Sequence, residues 1–303
     1  MIDGLVLLHT VAKGVQWMPS LCRIVFSRGP HPVTLEKKGL RDIIPPSFRG
    51  RYHGLHHIIG AIHCEKITTI REFVILPSSP HMFSLDAFAF QNPDDLEAGK
   101  FFFQHLHKLH LNVNIRDNGG DTQVLLTNMT HLLSQAKDLR ELSLHLSPFK
   151  NSEGYMDMFL SIPDGNAIFP HLGLHNTWSH LRSLSVAGIY PTEIDLMDLI
   201  DRHRSTLTSL KFTECGLKEG KWAHIVDEVV FMTSVVTFAL ECVHEVHITD
   251  EKLFEDLWNS RSESIRDWQF NGELMMDDEG KRYFKELQVV GKQAYAWTHT
   301  ENG

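Results

Sequence analysis

Histidine is the first place to look for chemistry in this chain, because 20 of its 303 residues are His and many of them cluster. The densest groups are His53/His56/His57/His63, His105/His107/His110 and Cys242/His244/His247. Imidazole binds zinc and exchanges protons near neutral pH, so each group raises a metal centre or a metal-dependent hydrolase as a reading. A zinc site needs four converging ligands, or three when water takes the last place. Cys242-Val-His244-Glu-Val-His247 supplies three donors, but on a strand Cys242 and His244 share a face while His247 points away. The same tract misses the HExxH spacing that puts two histidines on one side of a helix. His105 and His107 flank Leu106 and read as exposed strand residues. Asp277-Asp278-Glu279, three adjacent acids, reads as a solvated loop. Nucleophilic chemistry has no better footing: the chain contains no G-x-S-x-G elbow, no phosphate loop, no G-x-G-x-x-G fingerprint and no cysteine in an obviously activating neighbourhood. The expectation is a protein that is not an enzyme and needs no cofactor or metal, with a histidine-cluster metal-dependent hydrolase as the alternative.

Whatever these side chains do, a fold must position them, and composition bounds that fold. With 42% hydrophobic and 22% charged residues the chain has the balance of a folded globular protein. A net charge of −9 offers no general attraction to nucleic acid, and Lys37, Lys38 and Arg41 are offset by Glu36 and Asp42. The cysteines Cys22, Cys64, Cys215 and Cys242 stand singly, which fits a reducing compartment better than a disulfide framework. Asp3 lies where a signal peptide carries basic residues, and the apolar run after it is too short to span a bilayer. A cytoplasmic or nuclear protein without a membrane or nucleic-acid partner is expected. The sequon Asn128-Met-Thr130 falls inside a helical pattern and reads as a chance match.

Strands of the form L-x-x-L-x-L recur: Leu21/Ile24/Phe26, Ile70/Phe73/Ile75, Leu106/Leu109/Leu111, Leu139/Leu142/Leu144, Leu181/Leu184/Val186, Leu207/Leu210/Phe212, Val235/Phe238/Leu240 and Ile265/Trp268/Phe270. In each, the last two apolar residues are two apart and share a strand face. Positions 181, 207, 235 and 265 are separated by 26, 28 and 30 residues, close to a leucine-rich-repeat period, while the earlier intervals are longer. Stretches with helical spacing lie between them: Val124 to Leu133, Thr192 to Ile200, Trp222 to Val230, and Leu253 to Trp258 after Thr249 and Asp250. Strand-helix alternation predicts an α/β protein with a parallel sheet. A doubly wound fold would alternate likewise, but polar residues between the leucines favour a sheet with one exposed face. Leu207-Thr-Ser-Leu210-Lys-Phe212-Thr-Glu-Cys215-Gly-Leu217 fills every position of L-x-x-L-x-L-x-x-[NC]-x-L, with Cys215 turned inward to hydrogen-bond backbone where the strand ends. Asn114 holds the equivalent place after Leu106, and Ser147 and Ile189 those after Leu139 and Leu181.

Met18-Pro-Ser-Leu21-Cys-Arg-Ile24-Val-Phe26-Ser27, Phe103-Gln-His-Leu106-His-Lys-Leu109-His-Leu111-Asn-Val113-Asn114 and Trp178-Ser-His-Leu181-Arg-Ser-Leu184-Ser-Val186-Ala-Gly188-Ile189-Tyr190, with Asp201-Arg-His-Arg204-Ser-Thr-Leu207-Thr-Ser-Leu210, resemble the degenerate leucine-rich-repeat regions of fungal F-box-type proteins. The resemblance runs in patches over residues 18 to 275. It implies the substrate-recruiting repeats of a cullin-type ubiquitin-ligase adaptor, although the residues before Leu21 are too few for an F-box. The expected organisation is an irregular α/β solenoid over residues 1–276, with helices on its convex side. Its irregular units cover 1–145, a long loop insertion with a short helix near Tyr155 to Leu160 covers 146–178, and more regular units cover 179–276. Residues 277–303 form a C-terminal extension.

In such a horseshoe the side chains between the core leucines line the concave face. Those residues are Lys108, His110 and Asn112; Glu141, Ser143 and His145; Ser183 and Ser185; Ser209, Lys211 and Thr213; Thr237 and Glu241; and Asp267, Gln269 and Asn271. This polar face of mixed charge is the expected contact surface for a protein partner, and the 146–178 loop is a second one.

Overall fold

The computed structural model describes residues 13–14, 17–18, 20–26, 53–75, 83–84, 88–90, 93–114, 122–147, 172–245, 270–276 and 281–286. Its strands are β1 (Arg23–Phe26), β2 (Glu72–Ile75), β3 (Phe83–Ser84), β4 (Lys108–Asn114), β5 (Glu141–Ser147), β6 (Ser183–Ala187), β7 (Ser209–Thr213), β8 (Gly216–Leu217), β9 (Thr237–Glu245), β10 (Phe270–Met276) and β11 (Arg282–Glu286). Its helices are α1 (His53–Cys64), α2 (Pro93–Phe103), α3 (Thr122–Gln135), α4 (Glu193–Arg202) and α5 (Trp222–Phe231). The chain is an α/β protein in which helices alternate with a mostly parallel, mixed sheet ordered β1-β2-β4-β5-β6-β7-β9-β10-β11. Short β3 and β8 pair with β4 and β9.

Seven of the eight leucine patterns become strands of the parallel run. The entries at Leu106, Leu139, Leu181, Leu207 and Val235 repeat one hydrogen-bond arrangement. The apolar residue that opens the pattern turns back onto the preceding segment, as in Leu106 N–H to Phe103 O at 3.1 Å, Leu139 to Ala136 at 3.1 Å and Leu181 to Trp178 at 3.1 Å. The next two amides then share one carbonyl of the neighbouring strand's entry. His107 and Lys108 donate to Arg71 O, Arg140 and Glu141 to His107 O, Arg182 and Ser183 to Arg140 O, and Thr208 and Ser209 to Arg182 O. Successive strands are thereby held without slippage: Leu109 is level with Leu142, Leu142 with Leu184, Leu184 with Leu210, and Leu210 with Phe238.

That register sends the leucines to one face, where they join the apolar sides of the helices in one hydrophobic core. In α5 the expected stripe is realised, with Trp222, Ile225, Val226 and Val229 buried. Thr192 caps α4 reciprocally with Asp195: the Thr192 side chain accepts from Asp195 N–H, and the Asp195 carboxylate accepts from Thr192 N–H. Lys221 supplies no side-chain cap to α5. Carboxylates from neighbouring elements take that place, Glu193 accepting from Lys221 N–H at 2.7 Å and Glu245 from Trp222 N–H at 2.9 Å.

Three expectations need correction. The eighth pattern does not extend the parallel run: β10 lies antiparallel to β9, and β11 antiparallel to β10. Apolar spacing places a strand but carries no information on its direction, which depends on how the connection returns. Residues 282–286, within the stretch set apart as an extension, supply β11, and its Phe284 ring packs on Phe238 with centroids 5.5 Å apart. Finally, simple alternation fails in β9. Cys242 has φ 51°, Phe270 faces Val243 while Gly272 faces Leu240, and Val243 is buried in place of the exposed Cys242. This bulge shifts the strand's phase by one residue. Ile265, Trp268, the 253–258 helix, the short helix near Tyr155 and the Asp277-Asp278-Glu279 run lie outside the described residues.

Candidate functional site

Opposite the core, the parallel strands leave a polar face whose side chains form rows across the sheet. The first row runs Lys108, Glu141, Ser183, Ser209, Thr237; the second His110, Ser143, Ser185, Lys211, Ala239; the third Asn112, His145, Ala187, Thr213, Glu241. Residues 33, 42, 26 and 28 apart in the chain become neighbours at the ordinary strand spacing of about 4.8 Å. The register therefore assembles the expected face residues from Lys108 to Glu241; Asp267 and Gln269 lie outside the described residues, and Asn271 belongs to antiparallel β10, at the register shift between Phe270 and Gly272.

Two ion-paired clusters flank a strip of small hydroxyls. On one side Glu141 Oε1 accepts from Lys108 Nζ and pairs with His110 Nε2, both at 2.7 Å. Partial burial pushes the Glu141 pKa upward, but these hydrogen bonds and charges outweigh it and hold the carboxyl below its usual value. On the other side Lys211 Nζ meets Glu241 Oε1 at 2.7 Å, and Thr213 Oγ1 donates to Glu241 Oε2 at 3.3 Å. Pairs this exposed add little stability, but they hold long side chains in place. Between them Ser143, Ser183, Ser185 and Ser209 are half-exposed. The third row departs from expectation: Asn112 is only 3% exposed, its Oδ1 without a partner among the described residues, and Ala187 is buried too. Thr213 and Glu241 are thus the accessible polar members of that row, with His145 half-buried and its pKa lowered by burial against an opposing effect of Glu214.

Among the described residues, no serine of this face is hydrogen-bonded to a histidine. Ser143 is level with His110, which pairs with Glu141, yet no hydrogen bond joins the serine to the histidine. Cys215 is buried, and its Sγ donates to the carbonyls of Thr213 at 3.3 Å and Val186 at 3.5 Å. Burial raises the pKa of that thiol to about 12, so it serves as the inward-turned strand-end residue that its motif position suggests. Burial, then Glu214 and Glu241, also raises the Cys242 thiol. Among the described residues no three His, Cys, Asp or Glu side chains converge as metal ligands do. His63, on α1, instead packs edge-on against Phe101, whose ring also meets His105 edge-on and lies under Lys66 Nζ. Asn128 donates to Phe88 O at 2.8 Å from within α3. No described helix is long and apolar enough to cross a membrane.

Sequence reasoning passed over His203, the C-cap residue of α4, which is 1% exposed and stacked on Trp178 at 5.7 Å with an interplanar angle of 17°. Neither ring nitrogen has a hydrogen-bond partner of normal geometry among the described residues. Burial lowers its pKa from 6.5, Arg202 acts in the same sense, and the backbone at Asn176 and Trp178 opposes them. The folded state therefore favours the neutral ring, and the unfolded chain takes up the proton first as pH falls. Stability is complete above pH 6.5 and declines as pH drops through the folded-state pKa. His105, His107 and His145 shift the same way. In denaturant titrations between pH 7.5 and 5, His203→Phe should lose less stability than the wild type; equal losses would show that His203 does not contribute.

No protein-family model matches this sequence, and no curated protein matches it.

Proposed function

We propose that the chain is a protein-interaction scaffold, an irregular leucine-rich-repeat solenoid whose polar sheet face is the concave, partner-binding surface. The observation that carries this reading is the five-strand register from β4 to β9, which turns dispersed residues into continuous rows of Lys108, Glu141, Ser183, Ser185 and Lys211. Such a face offers many modest polar contacts and small side chains that let a partner approach closely, as protein recognition requires. The repeated strand entry supports the repeat architecture, since stacked units reuse one local solution. The resemblance to F-box-type repeats extends the reading to a substrate-recruiting adaptor of a ubiquitin ligase.

A photo-crosslinking residue at position 185 tests it in cells, with the same residue at position 194 as control, where Ile194 is 71% exposed on α4. Position 185 should give a discrete protein adduct that position 194 does not, and Ser183→Arg should abolish it. The adaptor version adds that depleting the chain slows degradation of that adduct's protein. Identical adduct patterns from the two positions would sink the scaffold reading.

A further inference from the structure

One edge of the sheet differs sharply from the acidic whole. The residues at the entries of the parallel strands form their own row, Cys22, Arg71, His107, Arg140, Arg182, Thr208 and Val236, and four successive members, Arg71, His107, Arg140 and Arg182, precede the neighbouring strands β2, β4, β5 and β6. Arg140 and Arg182 are exposed; Arg71 and His107 are half-exposed. None of the three guanidinium groups forms an ion pair among the described residues. Arg71 spends one N–H on the carbonyl of His105, at 3.2 Å. The acids of the adjoining row are already engaged, Glu72 by Arg23 at 3.3 Å and Glu141 by Lys108 and His110. Burial, then the charges of Arg140 and Arg71, make protonation of His107 harder, with Asp138 the opposing carboxylate. Three guanidinium groups without an ion pair among the described residues thus line one edge of a chain whose net charge is −9.

We propose that this edge binds an extended acidic segment of a partner protein, an inference that rests on the protein-binding reading above and adds the partner's chemistry. From Arg71 to Arg182 the row covers three strand spacings, about 14 Å. In an extended peptide, alternate side chains are about 6.6 Å apart, so three alternating carboxylates match that length. The guanidinium fork suits them, since it can engage both oxygens of a carboxylate at once. A long polyanion such as nucleic acid fits less well, because its charge continues past the edge onto a negatively charged protein.

The test is fluorescence anisotropy of a labelled Glu-Ser repeat peptide against the full chain, beside a Lys-Ser peptide and a deoxythymidine oligonucleotide of equal length. The Glu-Ser peptide should bind saturably at low salt and weaken as salt rises, and the other two should bind more weakly. Arg140→Glu with Arg182→Glu should reduce affinity by about tenfold or more, as attraction becomes repulsion. Arg140→Gln with Arg182→Gln, gentler on folding, should give a smaller loss in the same direction. No saturable binding, undiminished binding by both double variants, or preference for the oligonucleotide would each overturn the proposal. If peptide binding fails while the position-185 adduct persists, the acidic-segment inference falls alone. If the adduct is missing while the edge binds the peptide, the sheet-face reading falls alone.

Discussion

Gly188→Ala is expected to destabilise the protein by about 2–5 kcal/mol, combining a left-handed backbone penalty of ~1–2 with the ~1–3 typical of overpacking. Gly188 follows β6 with φ +70°, a conformation that costs glycine nothing. A Cβ there would sit 1.9 Å from the carbonyl oxygen of Leu146, at the end of neighbouring β5. Backbone cannot rotate aside as a side chain can, and Gly188 N–H is itself bonded to Thr213 O at 3.0 Å on the other flank. The residue is pinned between two strands. Gly173 isolates the two contributions, because it shares φ +70° but its nearest neighbour to an added Cβ is a Leu133 side-chain atom at 3.2 Å. Chemical denaturation should therefore give Gly173→Ala a clearly smaller loss. Equal losses would mean that the Leu146 contact contributes nothing.

Trp178→Ala should cost about 3–5 kcal/mol, the usual range for emptying a buried aromatic site. The indole is fully buried, donates from Nε1 to Leu133 O at 3.2 Å near the end of α3, and stacks on His203 at the end of α4. It therefore ties α3 and α4 to the strand entry that Leu181 begins. Trp178→Phe keeps most of the apolar contact and loses the N–H donor, so it should cost markedly less. A loss below about 1 kcal/mol for the alanine variant, in the range of an ordinary surface change, would show that the site collapses around the cavity.

How much was legible in advance depended on the distance over which the deciding interaction acts. The L-x-x-L-x-L spacing located β1, β2, β4 to β7 and β9, because burying alternate side chains is a local requirement. Helices α3, α4 and α5 were visible for the same reason, each carrying an apolar stripe of helical period. Helix α2 was not, and Gly99 is part of the reason: glycine lowers helix propensity, yet an added Cβ would lie 2.9 Å from Leu132 on α3. That close approach is a tertiary contact with no local signature. In α1 the several histidines obscured an apolar face that includes Ile59 and Ile62.

The candidate face divides in the same way. Alternation alone indicated that Lys108, His110, Glu141, Ser183, Ser185, Lys211 and Thr213 lie opposite the leucines. It did not foresee that Asn112 would be covered, that Glu141 would hold two cationic partners, or that a bulge at Cys242 would shift the end of β9.

What the amino-acid sequence determined by itself is the α/β alternation, the face of each parallel strand that is buried, and the inward role of Cys215. Each of these follows from periodicity or from a motif within about a dozen residues. Only the tertiary structure decided the strand order, the antiparallel end of the sheet and the row of Arg71, His107, Arg140 and Arg182. Those four residues are 33 to 42 positions apart in the chain and belong to no motif. They become neighbours because paired amides at each strand entry share a single carbonyl of the previous one, a register that exists only between strands.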